Sequence, residues 1–223
     1  MGKQVYGSRS ITTTEYEIDL TSFSPPKRIL GIGGFGMVRA VTKLTGTDRS
    51  TAYALKSLSK SAVLQRSSGT AAVLSELKAL ALLVDAKFVC NVHYAFQDSI
   101  FLYMIIDLAA GGDLRFALKF SPNCRFNEVR ARFYIAQIII AVDSCHSASI
   151  LHRGKRMINT KLVAIIYDLP ELFALTDIKP ENILLQANGY LLLSDFGVAK
   201  ILQDVEDCRS TSGTHGYMVN IFG

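Results

Sequence analysis

The residues with chemistry to do cluster in Asp177-Ile178-Lys179-Pro180-Glu181-Asn182 and, thirteen residues beyond Asn182, in Asp195-Phe196-Gly197. Asp177 can accept a proton from a substrate hydroxyl, Lys179 can neutralise a phosphoryl group in transfer, and Asn182 and Asp195 can hold magnesium. Far upstream, Gly31-Ile32-Gly33-Gly34-Phe35-Gly36-Met37-Val38 contains G-x-G-x-x-G. Glycine lets backbone N–H groups approach phosphate oxygens with no Cβ in the way. Lys56 lies 20 residues past Gly36, in Ala54-Leu55-Lys56. It can neutralise phosphate charge if a carboxylate fixes its many rotamers, and Glu76 is the natural clamp. Each of these residues alone reads as an ordinary turn, strand or surface residue. Their order and spacing together point to phosphoryl transfer from a nucleotide.

The elements that must position these groups follow from pattern and punctuation. Residues 1–24 are polar and Ser/Thr-rich and read as a flexible lead-in. From Arg28 to about Ser59 the pattern is strand-like, so the glycines sit in a strand-turn-strand flap. A dinucleotide-binding loop would open directly into a helix, but Met37-Val38-Arg39-Ala40-Val41 is β-like, which excludes that class. Residues 71–83 are rich in Ala, Leu, Glu and Lys and predict a helix carrying Glu76. Two strands are expected near 88–95 and 100–107. A long helix is expected over 127–146, capped by Asn127, with Val129, Phe133, Ala136 and Ile140 as its periodic apolar positions. A short hairpin, 183–186 with 190–194, turns at Asn188-Gly189.

Composition narrows the class further. The 223 residues are 49% hydrophobic and 19% charged, enough for a sizeable core. The net charge of +5 comes without a Lys/Arg run, so no nucleic-acid partner is expected. Cys90, Cys124, Cys145 and Cys208 form no C-x-x-C, which fits a reduced compartment. There is no secretory h-region, Tyr6 spoils the myristoylation pattern begun by Met1-Gly2, and Asp168, Pro170 and Glu171 break the longest apolar stretch. No membrane span and a cytoplasmic location are therefore expected.

With these motifs in place, the chain resembles the eukaryotic protein kinase superfamily, serine/threonine type, and most closely its AGC group. The group resemblance rests on Tyr94-Ala95-Phe96-Gln97-Asp98, on Asp107-Leu108-Ala109-Ala110-Gly111-Gly112-Asp113-Leu114 and on Arg132-Phe133-Tyr134-Ile135-Ala136-Gln137. It implies an α+β, bilobal fold with a β-rich N-lobe at 25–106 and an incomplete α-rich C-lobe at 107–218. It implies ATP and Mg2+ as cofactors and a protein substrate phosphorylated on Ser or Thr. The flap residues Leu30, Gly31, Ile32, Gly33, Gly34, Phe35, Gly36, Met37 and Val38, with Ala54 and Lys56, would hold ATP. Val38 would pack on adenine, Asp107 to Ala109 would contact its edge, Met104 would close the back, and Asp113 would lie near the ribose. Lys179 and Thr214 favour Ser/Thr over Tyr specificity, and Ser210, Thr211 or Ser212 would receive an upstream kinase's phosphate. Ala86-Lys87 replaces the family's His-Pro, which alters a turn and not the chemistry.

Two departures are severe. Ile150-Leu151-His152-Arg153 matches the start of the family's catalytic loop, but residues 154–176 separate Arg153 from Asp177. After Gly216-Tyr217-Met218 the family continues with Ala-Pro-Glu and a helical bundle, whereas 219–223 reads Val-Asn-Ile-Phe-Gly, an aberrant C-terminus. Translated intron sequence accounts for both. Gly154-Lys155 can be encoded GGT-AAG, containing the donor GTAAG, and Thr176-Asp177 can be ACA-GAT, containing the acceptor AG. Excision joins G to AT, an Asp codon, and restores His-Arg-Asp in frame. The competing reading is a genuine insertion in a catalytically inactive, pseudokinase-like ATP-binding or interaction module. Closing the extra loop costs only ~3 kcal/mol, but displacing a reacting group by ~1 Å can cost about a hundredfold in rate. Impaired activity is therefore expected of the chain as it stands. Sequencing of the transcript across codons 150–180 should recover a product lacking the segment between His-Arg and Asp. A product of genomic length alone would establish the insertion as genuine.

Overall fold

The computed structural model describes residues 18–26, 28–33, 36–148, 150–152, 178–196 and 199–201. The chain divides into two units, Met1–Leu74 with Cys90–Leu108, and Ser75–Val89 with Ala109–Gly223. The fold is α+β.

The first unit is built on five antiparallel strands, β1 (Ile29–Gly33), β2 (Gly36–Thr42), β3 (Ala52–Ser59), β4 (Val92–Gln97) and β5 (Phe101–Asp107), in the spatial order β1-β2-β3-β5-β4. Side chains alternate between faces along a strand, and residues directly paired across strands share a face. Val41, Tyr53, Leu55, Tyr103 and Ile105 therefore point one way, and with Phe23 they form a buried cluster. Burying an aromatic side chain of this kind contributes about 1.5–3 kcal/mol. Phe23 reaches the cluster because residues 19–24 are tied down. Asp19 caps a 3-10 turn at Leu20–Ser22, Ser24 N donates to Thr42 O at 2.8 Å, and Leu44 N donates to Ser22 O at 2.9 Å. Residues 22–24 of the stretch read as a lead-in thus bond with Thr42, Lys43 and Leu44 at the end of β2, where the apolar Phe23 is buried.

Polar ties hold the loops of this sheet. Lys43 is fully buried, with its ammonium 5.0 Å from the Phe23 ring centre and 5.3 Å from that of Tyr94. Such a charge is tolerated inside because aromatic faces and hydrogen bonds replace its water. Tyr53 and Tyr94 both donate to Asp48 Oδ2 at 2.8 Å. In the β4–β5 turn, Asp98 accepts from Phe101 N and from Tyr103 Oη at 2.7 Å each, and also from Ile100 N. Those donors hold its carboxyl below the usual range, and burial with the same bond pushes the Tyr103 phenol up to about 12. Two helices follow β3. The first, α1 (Lys60–Leu64), is a single short turn that the sequence reading did not anticipate. The second, α2 (Gly69–Leu82), starts two residues earlier than expected. A Cβ on Gly69 would stand 2.0 Å from Val63 O, so only glycine fits where the two helices meet.

The second unit takes Ser75–Val89 with Ala109 onward, and Glu76 lies within it. Its elements are α3 (Leu114–Lys119), α4 (Glu128–Ser147), β6 (Ile150–His152) paired with β9 (Ala199–Ile201), and the hairpin β7 (Ile183–Leu185) with β8 (Leu191–Leu193). Asn127 caps α4, its side chain accepting from Arg130 N at 2.9 Å. The hairpin turn has Gly189 at φ +84 and Asn188 Oδ1 accepting from Tyr190 N, which is why Asn-Gly is there.

The helix itself forms where the sequence puts it, but its buried face is a different one. Ala131, Tyr134, Gln137, Ala141, Val142 and Cys145 are buried, while Val129 is 79% exposed and Phe133 and Ile140 stand largely outside. Through this face α4 packs on β6 and β8, with Ala131, Ala141 and Cys145 as its small residues. Burial pushes the Cys145 thiol up to about 12. Cys90, Cys124 and Cys145 are free thiols. Among the described residues no helix is long and apolar enough to cross a membrane.

Gln137 is the polar exception on the buried face. Its Oε1 accepts from Leu191 N at 2.7 Å and its Nε2 donates to Phe133 O at 3.1 Å. Gln137→Leu keeps the volume and orphans a buried N–H, which costs about 1–3 kcal/mol. Chemical denaturation should show that loss, whereas an exposed control, Glu128→Gln on the same helix, should change stability by less than about 0.5 kcal/mol.

Candidate active site

One face of the first unit's sheet carries most of the residues expected to meet a nucleotide. The register pairs Val38 with Lys56 and Lys56 with Met104, making one row across β2, β3 and β5. The next row pairs Ala40 with Ala54 and Ala54 with Ile106. These side chains are opposite to the Phe23 cluster, because they alternate with Tyr53, Leu55, Tyr103 and Ile105. Lys56 is half-buried, Met104 is fully buried, and Ile106 keeps partial access. Ile106 was not singled out from sequence, although the strand period of two, counted from Met104, places it on this face.

Asp107 pairs with Tyr53, so its carboxylate points to the other face. There Oδ1 meets His93 Nε2 at 2.7 Å and Oδ2 accepts from Asn91 N at 2.8 Å. At this position only the main chain remains for a ligand on the Lys56 face.

The flap divides its glycines into two kinds. A Cβ on Gly36 would stand 1.8 Å from Ser57 O, so Gly36 is required by the pairing of β2 with β3. A Cβ on Gly31 would meet nothing within 4 Å, and one on Gly33 only Gly36 O at 3.9 Å. Neither has a positive φ. Among the described residues nothing crowds a side chain at either position, in contrast to Gly36. Leu30, Ile32, Met37 and Val38 lie on the two flap strands, while Gly34 and Phe35 lie outside the described residues.

In the second unit the β7–β8 hairpin gathers the oxygen ligands. Ile183 pairs with Leu193, so Asn182 precedes one strand at the end where Asp195 follows the other. Ser194 seals that end, its N and Oγ donating to Asn182 O at 2.8 and 2.9 Å. Asn182 is buried and Phe196 is fully buried, anchoring both sides of the exposed Asp195. Asp195 has φ +65, a left-handed conformation that aspartate adopts more readily than most residues. Amide and carboxylate oxygens are the ligand types that suit a hard cation such as magnesium. Lys179 is half-buried beside the Pro180–Asn182 turn, and Arg115 donates to Glu181 Oε1 at 2.8 Å.

The linker glycines are strapped to the same hairpin. Gly111 N donates to Leu185 O and Leu185 N to Gly112 O, both at 2.8 Å, and a Cβ on Gly111 would stand 2.8 Å from that of Leu185. This delivers Ala109 and Asp113 to fixed places, and Asp113 caps α3 by accepting from Phe116 N at 2.7 Å. Glu76 is 7% exposed on α2, and a carboxylate is buried so deeply only where a cation or donors meet it. Asp177, Gly197, residues 154–176, Ser210, Thr211, Ser212 and Thr214 lie outside the described residues.

A glycine-bearing strand pair and a lysine on a five-stranded sheet in one unit, and a hairpin carrying Asn182 and Asp195 in the other, are features of a bilobal α+β kinase fold. The protein kinase domain family matches residues 25–159 and 155–220, and the chain belongs to it. Ribosomal protein S6 kinase beta of Caenorhabditis elegans is 32% identical over 194 residues, 86% of this chain and 30% of the relative. Serine/threonine-protein kinase 32C of Mus musculus is 34% identical over 191 residues, 86% of this chain and 33% of the relative. Ribosomal protein S6 kinase alpha-3 of Homo sapiens is 34% identical over 193 residues, 86% of this chain and 22% of the relative. The chain thus spans about a third or less of the length of these relatives.

Replacing the glycines one at a time should separate the two kinds. Gly36→Ala forces β2 off β3 and should cost about 1–3 kcal/mol of stability in denaturant unfolding. Gly33→Ala should leave stability within about 0.5 kcal/mol. Equal losses from both would show that the flap glycines serve only the sheet.

Proposed function

We propose that this kinase domain binds ATP with magnesium and transfers the γ-phosphoryl group to Ser or Thr of a protein substrate. The observation that carries the reading is the pair Gly31 and Gly33, which no described residue crowds, beside a face that lines up Val38, Lys56 and Met104. Lys56 meets the α- and β-phosphates and Glu76 clamps it. Val38, Ala54 and Ile106 bracket the adenine, with Met104 behind them. The main chain from Asp107 to Ala109 meets the adenine edge, and Asp113 lies near the ribose. Asn182 and Asp195 hold the metal, which when bound neutralises phosphate charge. Asp177 accepts the proton of the substrate hydroxyl as its oxygen bonds to the γ-phosphorus and the bond to the β–γ bridging oxygen breaks, leaving ADP. Lys179 balances charge on the phosphoryl oxygens in transit. An upstream kinase acting at Ser210, Thr211 or Ser212 and a cytoplasmic site of action complete the proposal.

A second reading has its own support. The family match falls into two segments that meet within 154–176, where His152-Arg153 is parted from Asp177. With that separation the domain binds nucleotide and transfers poorly, behaving as a binding module. Phosphotransfer to a Ser peptide and Mg-ATP binding separate the two. The 223-residue chain should bind Mg-ATP, Lys56→Met should weaken that binding, and phosphotransfer should be slight. Deleting 154–176 should raise the rate by at least about tenfold, the scale on which misplacing a reacting group acts. Robust transfer by the uncut chain would overturn the impairment, and absence of ATP binding would overturn the enzyme reading altogether.

A further inference from the structure

The junction at which β5 ends is held by more side chains than a strand terminus needs. Asp107 is the last residue of β5, and its backbone N donates to Asn91 O at 3.2 Å. Its carboxylate is met on both oxygens, Oδ2 by Asn91 N at 2.8 Å and the Asn91 amide at 3.4 Å, Oδ1 by His93 Nε2 at 2.7 Å. A carboxylate only accepts, so His93 Nε2 carries the proton in this bond. The imidazole is in turn fixed by Tyr53, whose ring centre is 4.8 Å away at an interplanar angle of 51°. Tyr53 pairs with Asp107 across β3 and β5 and donates its own hydroxyl to Asp48. Burial, then Asp48, pushes the Tyr53 phenol well above its usual range, so it stays a donor.

This arrangement leaves the carboxylate of Asp107 wholly occupied on the face away from Lys56. The Asp107 backbone is the only part able to face the other way. Rigid main-chain donors and acceptors at a site edge give orientation at little entropic cost, because nothing has to be ordered when the ligand arrives. We propose that His93 is a positioning residue for the adenine base: by holding Asp107 Oδ1 it sets the direction of the main chain that leaves β5 toward Leu108. The proposal rests on the nucleotide reading above and assigns His93 a role that acts only through Asp107.

The test is made on the whole 223-residue chain with two probes, Mg-ATP and Mg-tripolyphosphate, the second having the phosphates without the base. His93→Phe keeps a ring against Tyr53 and removes the donor. His93→Gln keeps an amide donor. Loss of one hydrogen bond to a charged group is expected to weaken Mg-ATP binding roughly tenfold in His93→Phe. The unfolding midpoint should fall slightly with the lost internal bond, but Mg-tripolyphosphate binding, measured where the chains are folded, should stay as in the parent chain, and His93→Gln should recover most of the Mg-ATP affinity. Parent-like Mg-ATP binding by His93→Phe would overturn the proposal while leaving the nucleotide reading intact. Equal weakening for both probes, or no recovery in His93→Gln, would also overturn it, since His93 would then serve the sheet as a whole. A parent chain that binds neither probe would overturn the nucleotide reading and the proposal with it.

Discussion

The register of β2, β3 and β5 is the constraint on which the site depends. Because side chains alternate with a period of two, one slip would carry Lys56 into the Phe23 cluster and Leu55 to the opposite face. The slip is blocked by burial, since Val41, Tyr53, Leu55, Tyr103 and Ile105 all lose their core together. The apolar face thus fixes the polar one. Phe23 closes that core from outside the sheet, so the segment ahead of β1 takes part in holding Lys56 in its row.

The second unit solves the same problem with a shorter device. A hairpin of three-residue strands has little pairing energy of its own. It is held by Gln137 on Leu191 N, by Phe88 O on Leu193 N, and by the linker glycines on Leu185. Through those ties α4 and the linker set where Asn182 and Asp195 stand. The strained backbone at Asp195 is bracketed by the sealed Ser194–Asn182 contact and the buried Phe196, which is how an unfavourable φ persists.

Two departures from sequence expectation share a cause. The α4 stripe of Val129, Phe133 and Ile140 was the apolar period one would choose for a core, yet Ala131, Ala141 and Cys145 lie inside. Apolar character sets what can be buried, while the space between elements sets what is. The short helices α1 and α3 were missed because each is too brief to show a period; α3 is started by the Asp113 cap and α1 by Ser59.

The sequence by itself determined the family: the order and spacing of Gly31 to Gly36, Lys56, Glu76, the Asp177 to Asn182 motif and Asp195 are those of a protein kinase domain. It also placed the long helix, its Asn127 cap and the Asn-Gly turn, since these are local effects of backbone hydrogen bonding. Only the tertiary structure decided that Gly36 serves the sheet while no described residue crowds Gly31 or Gly33, and that Ile106 shares the Lys56 face. It alone turned the Asp107 carboxylate away toward His93. Those are questions of which atoms lie across from one another on distant strands, and distance along the chain carries no record of that.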